Sequence, residues 1–265
     1  MARIIPLGYP SFTYTGTYTK EWDDAWGWYL IFKTGGTLTF TEDQKIDLFL
    51  CGGGNSGSQG GDHNGGSGGR GGGRTTALGI QAKAGQGYSV VIGGTASASS
   101  AFDRTAAGGA GSYGGSGGRD SDGARWGGSG YDGELPFGTY GTIRYGAGGG
   151  GGAAPGGGSG AGGVTGGGRG GYDEAGNSGT VNTGGGGGGG GFGWESGGAG
   201  ASGIVIIRNT EVTNLPVNFK GTTLLKMFFN GAEVRHLIHN GKQLFMEGMN
   251  AWRLKQQKRF ALAAL

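Results

Sequence analysis

Alternating apolar and polar positions predict β-structure at the start of the chain. Phe12, Tyr14 and Tyr18 alternate with threonine, a polar turn follows at 20–24, and the apolar stretch 26–32 returns, which reads as a hairpin. Residues 37–41 alternate again and 42–45 turn. Residues 46–50, Ile-Asp-Leu-Phe-Leu, are almost continuously apolar, as in a strand buried on both faces. Residues 1–51 are thus predicted as an N-terminal β-region.

Two more segments have strand character, 87–93 (Gly-Tyr-Ser-Val-Val-Ile-Gly) and 203–208 (Gly-Ile-Val-Ile-Ile-Arg). With 37–50 they are expected to form one small sheet. Over 210–248, apolar stretches flank Asn230-Gly231 and Asn240-Gly241, the dipeptide that best tolerates the positive φ angles of a tight hairpin turn, so a three-stranded meander is predicted. Residues 249–265 hold no glycine or proline after Asn250. Leu254, Ala261 and Leu265 fall near one helical face, which predicts a short C-terminal helix.

Composition changes this picture in the middle of the chain. Of 265 residues 73 are glycine, and 64 of these lie between Gly52 and Gly203; only 34% of the chain is hydrophobic. Glycine buries no side chain and loses the most backbone entropy on ordering, so a folded tract must be held by backbone hydrogen bonds and close backbone packing. Composition alone favours disorder, but two β-borders argue for a fold. The runs 52–73, 108–118, 146–171 and 184–203 are compatible with coil or with extended helices of polyproline-II type, which bond to one another only where no Cβ intervenes. In the second case 148–152 and 184–191 are expected to be surrounded by neighbours.

Charge and chemistry narrow the function. The formal charge is +3, with both signs interspersed, which weighs against a dedicated nucleic-acid or membrane-surface protein. A single cysteine, Cys51, excludes an internal disulfide framework and multi-cysteine zinc sites, and no stretch reaches the roughly 20 apolar residues of a membrane span. The N-terminus lacks an apolar signal segment, so an exported role is expected only as part of a larger particle. His63, His236 and His239 and the scattered carboxylates show no catalytic or metal spacing, and the glycine runs lack the following helix of a phosphate loop. No enzyme, cofactor or metal is expected. Arg-Gly-Gly segments at 68–74 and 167–172 leave an RNA-binding alternative.

Aromatic residues among the glycines are more informative. Tyr113, Trp126, Tyr131, Phe137, Tyr140, Tyr145, Tyr172, Phe192 and Trp194 occur where little core exists to hide them, with Arg119 and Arg125 nearby. Large rigid aromatics on loops give much contact area at low entropy cost, the composition of a recognition surface. The other reading is that some seal gaps between glycine segments. Residues 119–145, the longest interruption of the runs, are the favoured binding loop.

The motifs Gly-Thr-Leu-Thr-Phe-Thr-Glu-Asp-Gln-Lys-Ile-Asp-Leu-Phe-Leu-Cys-Gly-Gly-Gly (36–54), Ala-Gly-Gln-Gly-Tyr-Ser-Val-Val-Ile-Gly (84–93) and the exit at 197–208 resemble the glycine-rich domain proteins of bacteriophages of gut bacteria. The resemblance spans about 11–209. It implies similarity to phage tail-tip adhesins, with polyglycine-II helices stacked into a sandwich over 52–209 whose loops bind the host. The implied fold is mainly β with this glycine-helix sandwich, then the meander and the C-terminal helix. The implied role is that of a non-enzymatic virion protein, made in the host cytoplasm without a signal peptide. It would be present as a homo-oligomer or in several copies. Its partners would be other tail or baseplate proteins and a bacterial surface receptor, protein or glycan, with no nucleic acid and no membrane insertion. The aromatic and arginine residues above are its receptor candidates. Phe228, Phe229, Val234, Leu237, Ile238, Leu244, Phe245, Trp252, Leu254 and Leu265 are its virion-attachment candidates. A tail or capsid decoration protein without a receptor is the alternative.

Overall fold

The structure, a computed structural model, describes residues 8–23, 27–121, 123–138 and 140–210, together with the backbone of a few short strands nearer the two ends. The strands are β1 (Arg3–Ile4), β2 (Phe12–Tyr14), β3 (Tyr18–Asp23), β4 (Gly27–Phe32), β5 (Gly36–Phe40), β6 (Gln44–Cys51), β7 (Arg74–Ala82), β8 (Gly87–Val91), β9 (Ser99–Ala101), β10 (Arg104–Ala106) and β11 (Ile204–Asn209). Two antiparallel five-stranded sheets result, ordered β3-β4-β11-β6-β7 and β10-β9-β8-β5-β2.

The expected single sheet is therefore two. β5 and β8 pair in one and β6 and β11 in the other. The polar turn after Phe40 carries the chain across, so the core forms between the sheets. Trp28, Leu30 and Phe32 of β4, Ile46, Leu48 and Leu50 of β6, and Val205 and Ile207 of β11 point inward against Leu38, Phe40, Val90 and Ala101. The hairpin forms between β3 and β4, with Tyr18 opposite Phe32, while β2 instead pairs with β5.

Strands β4, β6 and β11 show little alternation because both their faces are covered. Their outward residues Tyr29, Ile31, Phe49, Cys51, Ile204 and Ile206 form a second apolar cluster, closed by Phe137, Tyr140 and Tyr145. The nine-residue β7 lies at the end of a glycine run, where no strand was expected. Its register against β6 shifts between Ile46 and Leu48, and Gly79 takes φ +69° there, a value that favours glycine.

The glycine runs correct the expected sandwich of polyglycine-II helices. Among the described residues the helical content is one 3-10 turn, Pro136–Gly138, and the runs belong to neither helix nor sheet. The runs are short, and several are ended by a residue in the left-handed region such as Gly146, Gly156, Thr165, Gly184 or Gly193, which breaks any continuous helix; what holds them is lateral bonding from run to run. Bonds between runs recur at three-residue steps. Gly54, Gly57 and Gly60 donate to the carbonyls of Ala201, Gly198 and Glu195, and Gly66, Gly69 and Gly72 to those of Gly190, Gly187 and Gly184. Consecutive N–H groups reach different neighbours: Gly65 donates to Gly118 and Gly66 to Gly190. The result is a lattice of naked backbone, with 148–152 and 184–191 wholly buried. A Cβ on Gly152 would lie 1.9 Å from the Gly190 carbonyl oxygen, so any side chain there would push the runs apart.

Toward the C-terminus, β12 (Phe228–Phe229) pairs with β13 (Ala232–Glu233), and β14 (Leu237–His239) pairs with β15 (Lys242–Phe245) and with β1. These pairings bracket the two Asn-Gly dipeptides. Because β14 bonds to β15 and β1, the expected single meander is instead a two-stranded and a three-stranded sheet. The predicted helix at 249–265 lies outside the described residues.

Candidate recognition surface

Backbone pairing sorts the connections of the lattice into two ends. Near the sheets, Gly52 donates to Gly73, Gly72 to Gly184, Gly146 to Thr183 and Gly203 to Gly93. At the opposite end five turns are gathered, near 61–64, 119–124, 154–157, 172–175 and 192–195. Gly193 donates to Gly61, Gly65 to Gly118, Ala154 to Arg125, Gly191 to Glu174 and Phe192 to Ala153. The turns project only a few residues beyond a cross-linked base, so their side chains stand on a rigid support.

Four aromatic residues lie at or beside these turns. Trp194 is 64% exposed at φ +67°, and Gln59 Nε2 donates to its carbonyl at 2.7 Å, holding that backbone in place. Trp126, 73% exposed, lies against bare backbone: a Cβ on Gly158 would come within 2.2 Å of its ring. Tyr172 and Phe192 meet edge to face at 5.3 Å, and Gly156 N–H donates to the Tyr172 hydroxyl at 3.4 Å. Arg125 pairs with Asp120 at 2.8 Å, next to exposed Arg119. Asp62 and His63 form an exposed pair at 3.4 Å on the first turn. The sequence reading missed Gln59, Asp62 and Glu195 as members of this end. Their only signal is that each stands where a run is punctuated by non-glycine residues.

Tyr113 and Tyr131 stand apart, on the flank of the lattice nearer the sheets. Tyr131 N–H donates to the Tyr113 carbonyl at 3.0 Å, and the Arg70 guanidinium sits 4.2 Å from the Tyr113 ring.

Phe137, Tyr140 and Tyr145 are corrections to the expected binding loop. The chain from 133 to 145 lies over the outer face of the first sheet, so its aromatics pack there. Tyr140 stacks on Tyr29 at 3.6 Å and nearly parallel, and its hydroxyl donates to the Glu21 carboxylate. Phe137 and Tyr145 pack on Phe49. Burial, followed by the Glu21 bond, raises the Tyr140 phenol, and burial pushes Tyr145 up to about 12. These three cover the sheet, whereas the two roles weighed for the aromatics were receptor contact and the sealing of gaps between glycine segments.

The arginines of the Arg-Gly-Gly segments are committed within the chain. Arg70 donates to the Gly111 carbonyl, Arg74 pairs with Glu134 at 3.0 Å, and Arg169 donates to Ser159. Among the described residues no group of three or more histidine, cysteine or acidic side chains is placed to hold a metal, and no helix is long and apolar enough to cross a membrane. Of the attachment candidates, Phe228, Phe229, Leu237, Ile238, Leu244 and Phe245 lie on short strands described by backbone alone. Val234, Trp252, Leu254 and Leu265 lie outside the described residues. Compared with protein-family models and with curated proteins, the chain matches none.

Proposed function

We propose that this chain is a non-enzymatic bacteriophage virion protein that binds a bacterial surface molecule, protein or glycan, through the five turns at the far end of its lattice. The observation that carries this reading is the collection of Trp126, Tyr172, Phe192 and Trp194 on turns whose bases are hydrogen-bonded backbone. Rigid aromatic anchors lose little entropy on binding, so contact area there converts to affinity with small ordering cost. Arg119, Arg125 and the neighbouring carboxylates supply orientation. The segment from 210 to 265 is the proposed attachment to other tail or baseplate proteins, and multiple copies in the particle fit that task. The internal commitments of Arg70, Arg74 and Arg169 weigh against the RNA-binding alternative.

The test is adsorption of the labelled chain to a panel of gut bacterial strains. At least one strain should bind it, and the Trp126→Ser/Trp194→Ser variant should lose that binding about tenfold or more with an unchanged amide spectrum. A panel with no bound strain, or adsorption untouched by both substitutions, would favour a decoration protein without a receptor.

A further inference from the structure

We propose that the cleft on the flank of the lattice, between the runs bearing Tyr113 and Tyr131, is a binding site for a neutral saccharide. It lies apart from the five turns, and the proposal stands whether or not those turns bind a receptor. The cleft is shallow and wide open to solvent, offers about 680 Å³, and is lined chiefly by Arg74, Ser112, Tyr113, Gly130, Tyr131 and Asp132. That volume is in the range of about 300–1,000 Å³ typical of small-molecule sites.

Charge and hydrogen bonding select the ligand class. Tyr113 and Tyr131 are 62% and 67% exposed, and neither ring packs on another aromatic among the described residues. Both nearby cations are occupied: Arg74 by Glu134, the Ser112 hydroxyl and the Tyr145 carbonyl, and Arg70 by the Tyr113 ring and the Gly111 carbonyl. Of the charged residues that line the cleft, Arg74 and Asp132 have opposite signs, so it carries no net formal charge to select phosphate or a cation. The Ser112 hydroxyl is also used, accepting from Arg74 and donating to the Asp132 carbonyl at 2.7 Å. One Asp132 carboxylate oxygen accepts from Val164 N–H at 2.7 Å. The other oxygen and the Gly130 carbonyl accept nothing among the described residues. The site thus offers ring faces and unfilled acceptors. A matching ligand is uncharged, rich in hydroxyl donors and flat and apolar on one side, which describes a sugar ring.

Saturation-transfer NMR on the purified chain tests this with galactose, N-acetylglucosamine and maltotriose as probes, beside tetralysine and inorganic phosphate. Transfer to the ring C–H protons of at least one sugar is expected. It should fall about tenfold in Tyr113→Ser and in Tyr131→Ser, and stay unchanged in Leu78→Ser, an exposed position on β7 that belongs to neither the cleft nor the turns. Tyr131→Leu keeps apolar bulk without a flat face, so it should fail to bind even if the serine variants fold poorly. Absence of transfer to every sugar, transfer that survives Tyr131→Leu, or binding of tetralysine or phosphate in place of sugar would each overturn the proposal. Loss of sugar transfer in Tyr131→Leu with bacterial adsorption intact would separate this cleft from the turns.

Discussion

Arg208 and Asp47 stand directly opposite each other on β11 and β6, and Arg208 Nε meets Asp47 Oδ2 at 3.1 Å with the two residues 4% and 2% exposed. The other Asp47 oxygen accepts from Gly79 N–H at 3.0 Å and from the Thr210 hydroxyl at 2.8 Å, while the Phe137 ring covers the guanidinium at 4.1 Å. One carboxylate therefore fixes the exit strand, the irregular register of β7 and the covering segment. Asp47→Ala leaves a buried guanidinium without its counter-charge, and urea unfolding should show a loss of about 3–5 kcal/mol. Asp47→Val/Arg208→Met removes both charges and should recover most of it, short of about 1–3 kcal/mol for the Gly79 N–H. A double variant no more stable than the single would show that the charge pair is not what holds this face.

The lattice makes glycine tolerance a matter of position. Gly149→Ala and Gly152→Ala place a Cβ 2.0 and 1.9 Å from the carbonyl oxygens of Gly187 and Gly190, where only backbone can yield. Each should cost about 3 kcal/mol or more, beyond ordinary overpacking of about 1–3 kcal/mol. Gly94→Ala meets nothing within 4 Å and should fall within about 0.5 kcal/mol of the parent, because its Cβ enters open space. Equal losses at all three sites in thermal unfolding would contradict close backbone packing.

The strand borders were legible because apolar sequence survives there: the uninterrupted Ile-Asp-Leu-Phe-Leu of β6 and Ile-Val-Ile-Ile of β11 mark strands covered on both faces. The split into two sheets was not legible, since the turn after Phe40 carries no mark of which partner follows. β7 was hidden by the Gly-rich run before it and by Gly79 within it, although Thr75 to Ile80 alternate weakly. The aromatics misled for a related reason. Loop composition is the same whether a tyrosine faces solvent, as Tyr131 does, or closes a sheet, as Tyr145 does, and only the path of the chain decides. The run interiors at 148–152 and 184–191 were readable as buried only on the reading in which the runs bond to one another, because water satisfies bare backbone in a coil equally well.

Amide hydrogen exchange distinguishes the lattice from a tethered coil. Gly148 to Gly152 donate to Tyr131, Gly69, Gly168, Gly128 and Gly66 in turn, each on another part of the chain, so none can open alone. Their exchange should be as slow as that of β6 and β11 and should track global unfolding. Exchange of these five amides at unprotected rates, with β6 still protected, would mean that the runs do not fold with the sheets.

Alkaline pH should weaken the fold through groups that ionise only when exposed. Burial pushes Cys51 and Tyr145 up to about 12, from ordinary values of 9.0 and 10.0. Both are neutral when protonated, so over this interval the folded chain keeps protons that the unfolded chain releases, and stability falls as pH rises. The contribution is complete below about pH 9 for the thiol and pH 10 for the phenol, and is lost progressively toward pH 12. Tyr145→Phe keeps the ring that packs on Phe49 and removes one of these protons. Between pH 10 and 12 its unfolding free energy should therefore decline less steeply, by up to about 1.4 kcal/mol per pH unit. Urea titrations at several pH values across that interval measure both slopes. Parallel slopes for the parent and Tyr145→Phe would mean that the phenol ionises freely, and that the segment from 133 to 145 does not cover the sheet in solution.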